Sequence, residues 1–190
     1  MNNIVKFFGD IAMFVWCVWS NARFKQAERH SLFIADEDKI ESFTDIKNIA
    51  VRAYSNFKWT KDGIDQLGDA IVPPPCAYNQ ISNTRLYDDC DGFHAAMYHV
   101  LAANNIECYL LTANAIGGGH CILIFNFNNK WRILDYTKIY DAEVTAAEAI
   151  AKYNLVYPKI YKTKTVFYNG LVKYDYKSGR YIALSVNRLK

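Results

Sequence analysis

A thiol at Cys90, an imidazole at His120 and a carboxylate at Asp135 follow one another along this chain in an order that could do nucleophilic chemistry. A cysteine attacks a carbonyl as its thiolate, which needs a base within hydrogen-bond reach; the imidazole that serves as base needs a third group to fix its tautomer. Joined in space, the three would form a covalent acyl-enzyme on an amide or ester and pass the acyl group to water or to an amine. Each has a plainer reading on its own: Cys90 as a small buried apolar residue, His120 as a core or strand-edge histidine, Asp135 as an acceptor at a strand end. Only secondary structure that brings them together gives them joint chemistry.

The expected elements do so. Phe93, Met97, Val100 and Leu101 mark the buried stripe of a helix from about Cys90 to Asn104, with Asp88 or Asp89 placed to cap it. Cys90 then sits at the helix N-terminus, where unpaired backbone N–H groups and the dipole favour a thiolate and could stabilise an oxyanion. Downstream, Glu107 to Thr112, His120 to Phe127 and Lys130 to Asp135 read as antiparallel strands, with Asn128 and Asn129 as a tight turn. That hairpin sets the start of one strand beside the end of the next, so His120 and Asp135 become cross-strand neighbours. Gly117, Gly118 and Gly119 precede His120 and leave room for close approach. Packing of the helix on this sheet through Phe93 and Met97 would carry Cys90 over His120.

These residues carry a family resemblance. Asp89-Cys90-Asp91-Gly92-Phe93, Gly119-His120 before an apolar strand, and Trp131-Arg132-Ile133-Leu134-Asp135 resemble, in order and spacing, the three motif blocks of the transglutaminase-like superfamily. The resemblance spans roughly residues 54 to 136 and implies an α+β, papain-like fold with Cys90 as nucleophile, His120 as base and Asp135 as orienter. It also implies an upstream side chain at the oxyanion, for which Trp59 and Gln80 are the candidates. The family includes crosslinking transglutaminases, cysteine proteases, deamidases and amidases. Two positions depart from its pattern: Asp88 stands where a Gly commonly opens the cysteine block, and Gly92 where a second acid often follows.

Other groupings of the same residues are weaker. His94, four residues after Cys90, could compete as its partner; the plainer reading makes it a flank residue beside the buried stripe, with His99 on the solvent side. Cys90, His94, His120 and Cys121 suit zinc by type, but His120 and Cys121 are adjacent on a strand and point to opposite faces, so no metal is expected and Cys121 is read as core.

The rest of the sequence describes a globular chain of 190 residues, 52% apolar and 22% charged. A net charge of +3 is too small to call for a nucleic-acid partner. The basic, Tyr-rich end from Lys159 onward reads as a half-buried sheet with its charged side out. Five cysteines without a CxxC pair argue against a disulfide framework and favour a reducing, cytoplasmic setting, though a secreted or membrane-associated one stays open.

From about residue 3 to residue 24, Ile4, Phe7, Phe8, Ile11, Phe14, Val15, Val18 and Trp19 form one wide face of an amphipathic helix. It is expected to pack on its own domain, with docking on a protein or membrane surface and a signal peptide as the alternatives. The apolar run Ile11 to Trp19 falls short of a bilayer span. A second helical region covers Asp38 to Tyr54, breaking near Ser42 or Thr44. A long surface loop should run through Gly63, Gly68 and the prolines to Asn83. Thr145 to Tyr153 is a short helix, and Lys164 to Tyr168, Leu171 to Tyr176 and Tyr181 to Val186 are strands, with Ser178 and Gly179 in a turn.

The expected organisation is one domain over 1–190: the N-terminal helix at 1–24, the motif-bearing core at 54–136 and a β-rich part at 137–190. Its expected activity is a thiol-dependent amide hydrolase or acyl transferase without cofactor, acting on a peptide or protein, with hydrolysis favoured. The alternative is an inactive fold of the same type serving as a structural or interaction protein. Plentiful Ile, Asn, Lys and Tyr are in keeping with a bacterial or phage source.

Overall fold

The computed structural model describes residues 3–24, 34–60, 70–116, 118–186 and 189. The expected loop residues Gly63 and Gly68, and Gly117 before His120, lie outside them. The architecture is α+β. Helix α1 (Asn3–Arg23) is followed by α2 (Phe43–Ser55), β1 (Phe57–Trp59), α3 (Pro74–Asn83), β2 (Leu86–Asp88) and α4 (Cys90–Ala103). Then come β3 (Glu107–Ala115), β4 (Gly118–Phe127), β5 (Lys130–Asp135), β6 (Lys138–Ile139), α5 (Ala146–Tyr161), β7 (Val166–Asp175) and β8 (Arg180–Leu184).

A six-stranded antiparallel sheet in the order β6-β5-β4-β3-β7-β8 forms the centre. Both faces are covered, so the middle of β4, Cys121 to Phe125, is buried at every position rather than alternating. Cys121, Leu123 and Phe125 join Phe93, Met97 and Leu101 of α4 in one core; Ile122 and Ile124 join Ile150, Tyr153 and Tyr157 of α5 in the other. The β4–β5 turn is the expected one: Asn128 and Asn129 have φ of 56° and 57°, the left-handed pair that matches strand twist in a two-residue hairpin. It fixes the register through Leu123 opposite Leu134.

Helix α4 is buried all round from Asp91 to Leu101, because α3 packs on the side away from the sheet. A one-sided stripe therefore understates it. His94 and His99, expected at the flank and in solvent, are both buried: His99 Nδ1 meets the Tyr176 hydroxyl at 3.1 Å and its ring lies 4.9 Å from that of Tyr78.

Other expectations also change. The Pro run does not stay a loop: Pro74 and Pro75 open α3, where a missing N–H costs nothing, and Ala77, Tyr78 and Ile81 bury its inner side. Ser42 caps α2 through a reciprocal bond with Asp45, so the break falls where a cap was expected. Helix α5 runs eight residues past Tyr153, through Pro158, since Tyr157 and Tyr161 continue its buried face. The two expected strands either side of Gly170 are one, β7. A Cβ at Gly170 would lie 2.4 Å from Met13 Sδ, so this glycine admits α1 rather than ending the strand.

Helix α1 lies on β7 and β8 on the same sheet face as α4. Met13, Cys17 and Ser20 are buried; Tyr168 donates to Asp10 at 2.9 Å, and Asn21 bonds the Tyr181 backbone in both directions. Own-domain packing thus uses one narrow edge, while Phe7, Phe14, Val15, Val18 and Trp19 stay exposed. The helix has 21 residues and, by length and composition only, is apolar enough to cross a membrane.

Candidate active site

Cys90 begins α4 immediately after β2, with Asp89 as cap: its carboxylate accepts the Asp91 N–H at 3.1 Å, and Asp88 accepts the Asp89 N–H at 2.8 Å. The Cys90 side chain is half-buried, and its Sγ accepts the Cys121 backbone N–H at 3.3 Å. The thiol is therefore anchored to the residue next to His120, and Cys90 and His120 line the same cleft. Asp88, Asp89 and Asp91 cluster beside it, all buried, with their carboxyl groups within 4.8 Å of one another at the positive end of the helix.

His120 and Asp135 meet as the hairpin geometry requires. His120 Nε2, near the start of β4, lies 2.8 Å from Asp135 Oδ1 at the end of β5, and both side chains are buried. Since a carboxylate only accepts, Nε2 carries the proton and Nδ1 remains as the basic nitrogen. Asp135 also receives the Tyr153 hydroxyl at 3.0 Å and the Tyr161 hydroxyl at 2.9 Å, and Tyr161 lies 2.9 Å from His120 Nε2. Burial pushes the Asp135 carboxyl up, yet the bonds and charges of His120, His94 and Tyr161 outweigh it and hold the group below its usual range. The imidazole itself lies nearly parallel to the Tyr157 ring at 6.1 Å.

His94 joins the two halves of the site. Its Nδ1 lies 2.6 Å from the Cys90 carbonyl and so donates; its Nε2 accepts the Tyr136 N–H at 3.0 Å. Both contacts demand the neutral ring, and burial together with the charge of His120 lowers its pKa to about 4. Tyr136, directly after Asp135, adopts φ of 51°, an uncommon conformation for a bulky residue. Ring contacts with Tyr54, Phe57 and Phe93 surround Tyr136 and hold it there. His94 is thus a buried brace and not a flank residue.

The structure brings Cys90, His120 and Asp135 into one neighbourhood but neither upstream candidate to the cleft. Trp59 lies in register with Asp88, yet its side chain is 57% exposed. Gln80 is exposed on α3, while Ala77 and Ile81 are buried. Cys121 is core, as expected. Sequence reading missed the brace and the tyrosines. Tyr153, Tyr157 and Tyr161 recur every four residues, a spacing that marks one helix face and could have found them. Nothing local marks the His94–Tyr136 bond.

No family model and no curated protein matches the chain. A solved structure from Cytophaga hutchinsonii, provisionally described as a cysteine protease, is similar at a TM-score of 0.39 with 14% identity, covering 66% of this chain and 38% of that one. This chain spans well under half the length of that protein, and so loose a likeness bears on neither family nor activity.

Proposed function

We propose that this chain is a thiol-dependent amide hydrolase or acyl transferase of transglutaminase-like, papain-like type, with Cys90 as nucleophile, His120 as base and Asp135 as orienter. The observation that carries this is the buried 2.8 Å bond from His120 Nε2 to Asp135, on a histidine lining the same cleft as Cys90. Holding Nε2 protonated leaves Nδ1 to take the thiol proton. Sγ then attacks the carbonyl carbon, and the oxyanion is met by backbone N–H groups at the start of α4 and at Cys121, the donors we assign in place of Trp59 or Gln80. Collapse expels the amine, which takes the proton from Nδ1. A water gives one proton to Nδ1 as its oxygen attacks the thioester carbon; the C–S bond then breaks to release the carboxylic acid, and Cys90 leaves as thiolate and retakes the proton from Nδ1. We favour water over an amine acceptor and a peptide-like amide as substrate.

The test is iodoacetamide labelling against pH with assignment of the labelled residue, on the native chain and on His120→Ala. Cys90 should label well below the ordinary thiol pKa of about 8.5 and lose that advantage without His120. A Cys90 that is indifferent to His120 overturns the reading. It would favour the inactive interaction protein, which draws support from the carboxylates around the thiol and from the exposed apolar face of α1.

A further inference from the structure

The cleft that Cys90 opens into has a cavity volume of about 960 Å³, well beyond what positioning one carbonyl requires. Its walls come from distant parts of the chain: Ile4, Phe8 and Trp16 of α1, Ile116 just after β3 and Phe167 of β7. Helix α1 is therefore one wall of the site as well as a cover for the sheet. Ile4, Phe8, Ile116 and Phe167 are 62%, 65%, 61% and 46% exposed, so large apolar side chains cluster around the thiol in open contact with water. Such grouping on a folded surface marks a place that something apolar covers.

The polar groups fit the same picture. Asn114 Nδ2 bonds Thr112 Oγ1 at 2.9 Å, which turns its Oδ1 toward Gly119 as an acceptor on the cleft floor. The side chains of Asp89 and Asp91 line the Cys90 end, and no Lys or Arg lines the cleft among the described residues. His120 is the one group lining the cleft among the described residues that can carry positive charge, and the thiol chemistry engages it, so a free carboxylate or phosphate has no cation of its own to meet, whereas a neutral amide or ester needs none.

We infer that this cleft is a substrate subsite that takes a large apolar group flanking the scissile carbonyl of a neutral amide or ester. The inference rests on the thiol chemistry proposed above and names what that chemistry acts on. The bound group lies along α1 with its carbonyl at Cys90, and α1 is needed for recognition.

Labelling of the full chain with a series of N-alkyl iodoacetamides tests this, with the half-buried Cys76, outside the cleft, as internal reference. Full burial of a methylene is worth about fourfold, so half-burial in an open groove predicts roughly twofold each, about sixtyfold from iodoacetamide to its N-hexyl form at Cys90. Cys76 should not share the trend. Iodoacetyl-phenylalanine amide distinguishes the sources: a subsite for a bulky peptide side chain peaks there, one for a long acyl chain keeps gaining through the decyl reagent. Phe8→Ser and Phe167→Ser, both at exposed positions that leave the core intact, should flatten the slope. If Cys90 labels fast with iodoacetamide but gains no more than Cys76 with chain length, the subsite is overturned and the thiol chemistry stands. If Cys90 resists every reagent, both fall.

Discussion

The carboxylate of Asp88 occupies the space that a side chain at position 92 would need: a Cβ on Gly92 would lie 2.1 Å from its Oδ2. These are the two positions at which the cysteine block departs from the transglutaminase-like pattern, and the departures fit one another. Asp88 turns inward, accepts the Asp89 N–H and closes the turn from β2 into α4, which the bare glycine permits.

Gly92→Ala tests the pair. In an ordinary helix this change stabilises by up to about 1 kcal/mol. Here the clash should reverse the sign, destabilising the fold by roughly 1–3 kcal/mol in urea denaturation. Asp88→Gly combined with Gly92→Ala should recover part of the loss, since it removes the atoms in the way; strict additivity would contradict the account.

His94 should make stability pH-dependent. Its folded pKa, about 4, lies below the unfolded 6.5, so the unfolded chain binds the extra proton first. The contribution is fully present above pH 6.5 and is lost as pH falls toward 4, with a slope approaching 1.4 kcal/mol per unit and a total of roughly 3 kcal/mol. His94→Gln, whose amide can span the same two partners, should remove that slope. Denaturation midpoints at pH 7.5 and 4.5 for the two proteins measure it, and equal slopes would count against the neutral brace.

Asp135→Asn should leave the fold in place but offer an amide N–H to His120 Nε2, moving the ring proton to Nδ1. A base protonated on that side cannot take the thiol proton, so the Cys90 labelling advantage should fall on the order of a hundredfold or more. The wild-type carboxyl is held below its usual range, so its share of stability is present above pH 3.8 and is lost as pH falls below that. The Asn variant should lack this acid limb.

Tyr153→Phe and Tyr161→Phe each remove a hydrogen bond to Asp135. The loss should be roughly 1–3 kcal/mol of stability apiece, as for bonds to a charged acceptor. Tyr161→Phe should also slow Cys90 labelling, because Tyr161 contacts His120 as well. A Tyr161→Phe protein that labels at the native rate would make that hydroxyl a structural group only.

Much of the fold was legible because it is local. Helical spacing marked α1 and α4, Asn128-Asn129 marked the hairpin, and Asp88 or Asp89 marked the cap of the thiol helix, which proved to be Asp89. The hairpin also let sequence pair His120 with Asp135, since a two-residue turn fixes register. Where reading failed, packing had overridden local signal: prolines became a helix start, Gly170 became a packing notch and Tyr157 carried α5 past its apparent end.

By itself, then, the sequence determined which residues could react and the turn that unites two of them, because residue type and short-range geometry are written in neighbouring positions. Tertiary structure alone decided that His94 braces Cys90 to Tyr136, that the rings of Tyr136, Tyr157 and Tyr161 pack around His120, that Trp59 and Gln80 stay outside, and that α1 walls the cleft. Those relations join segments far apart along the chain, and they exist only once the sheet and its helices have buried their apolar faces against one another.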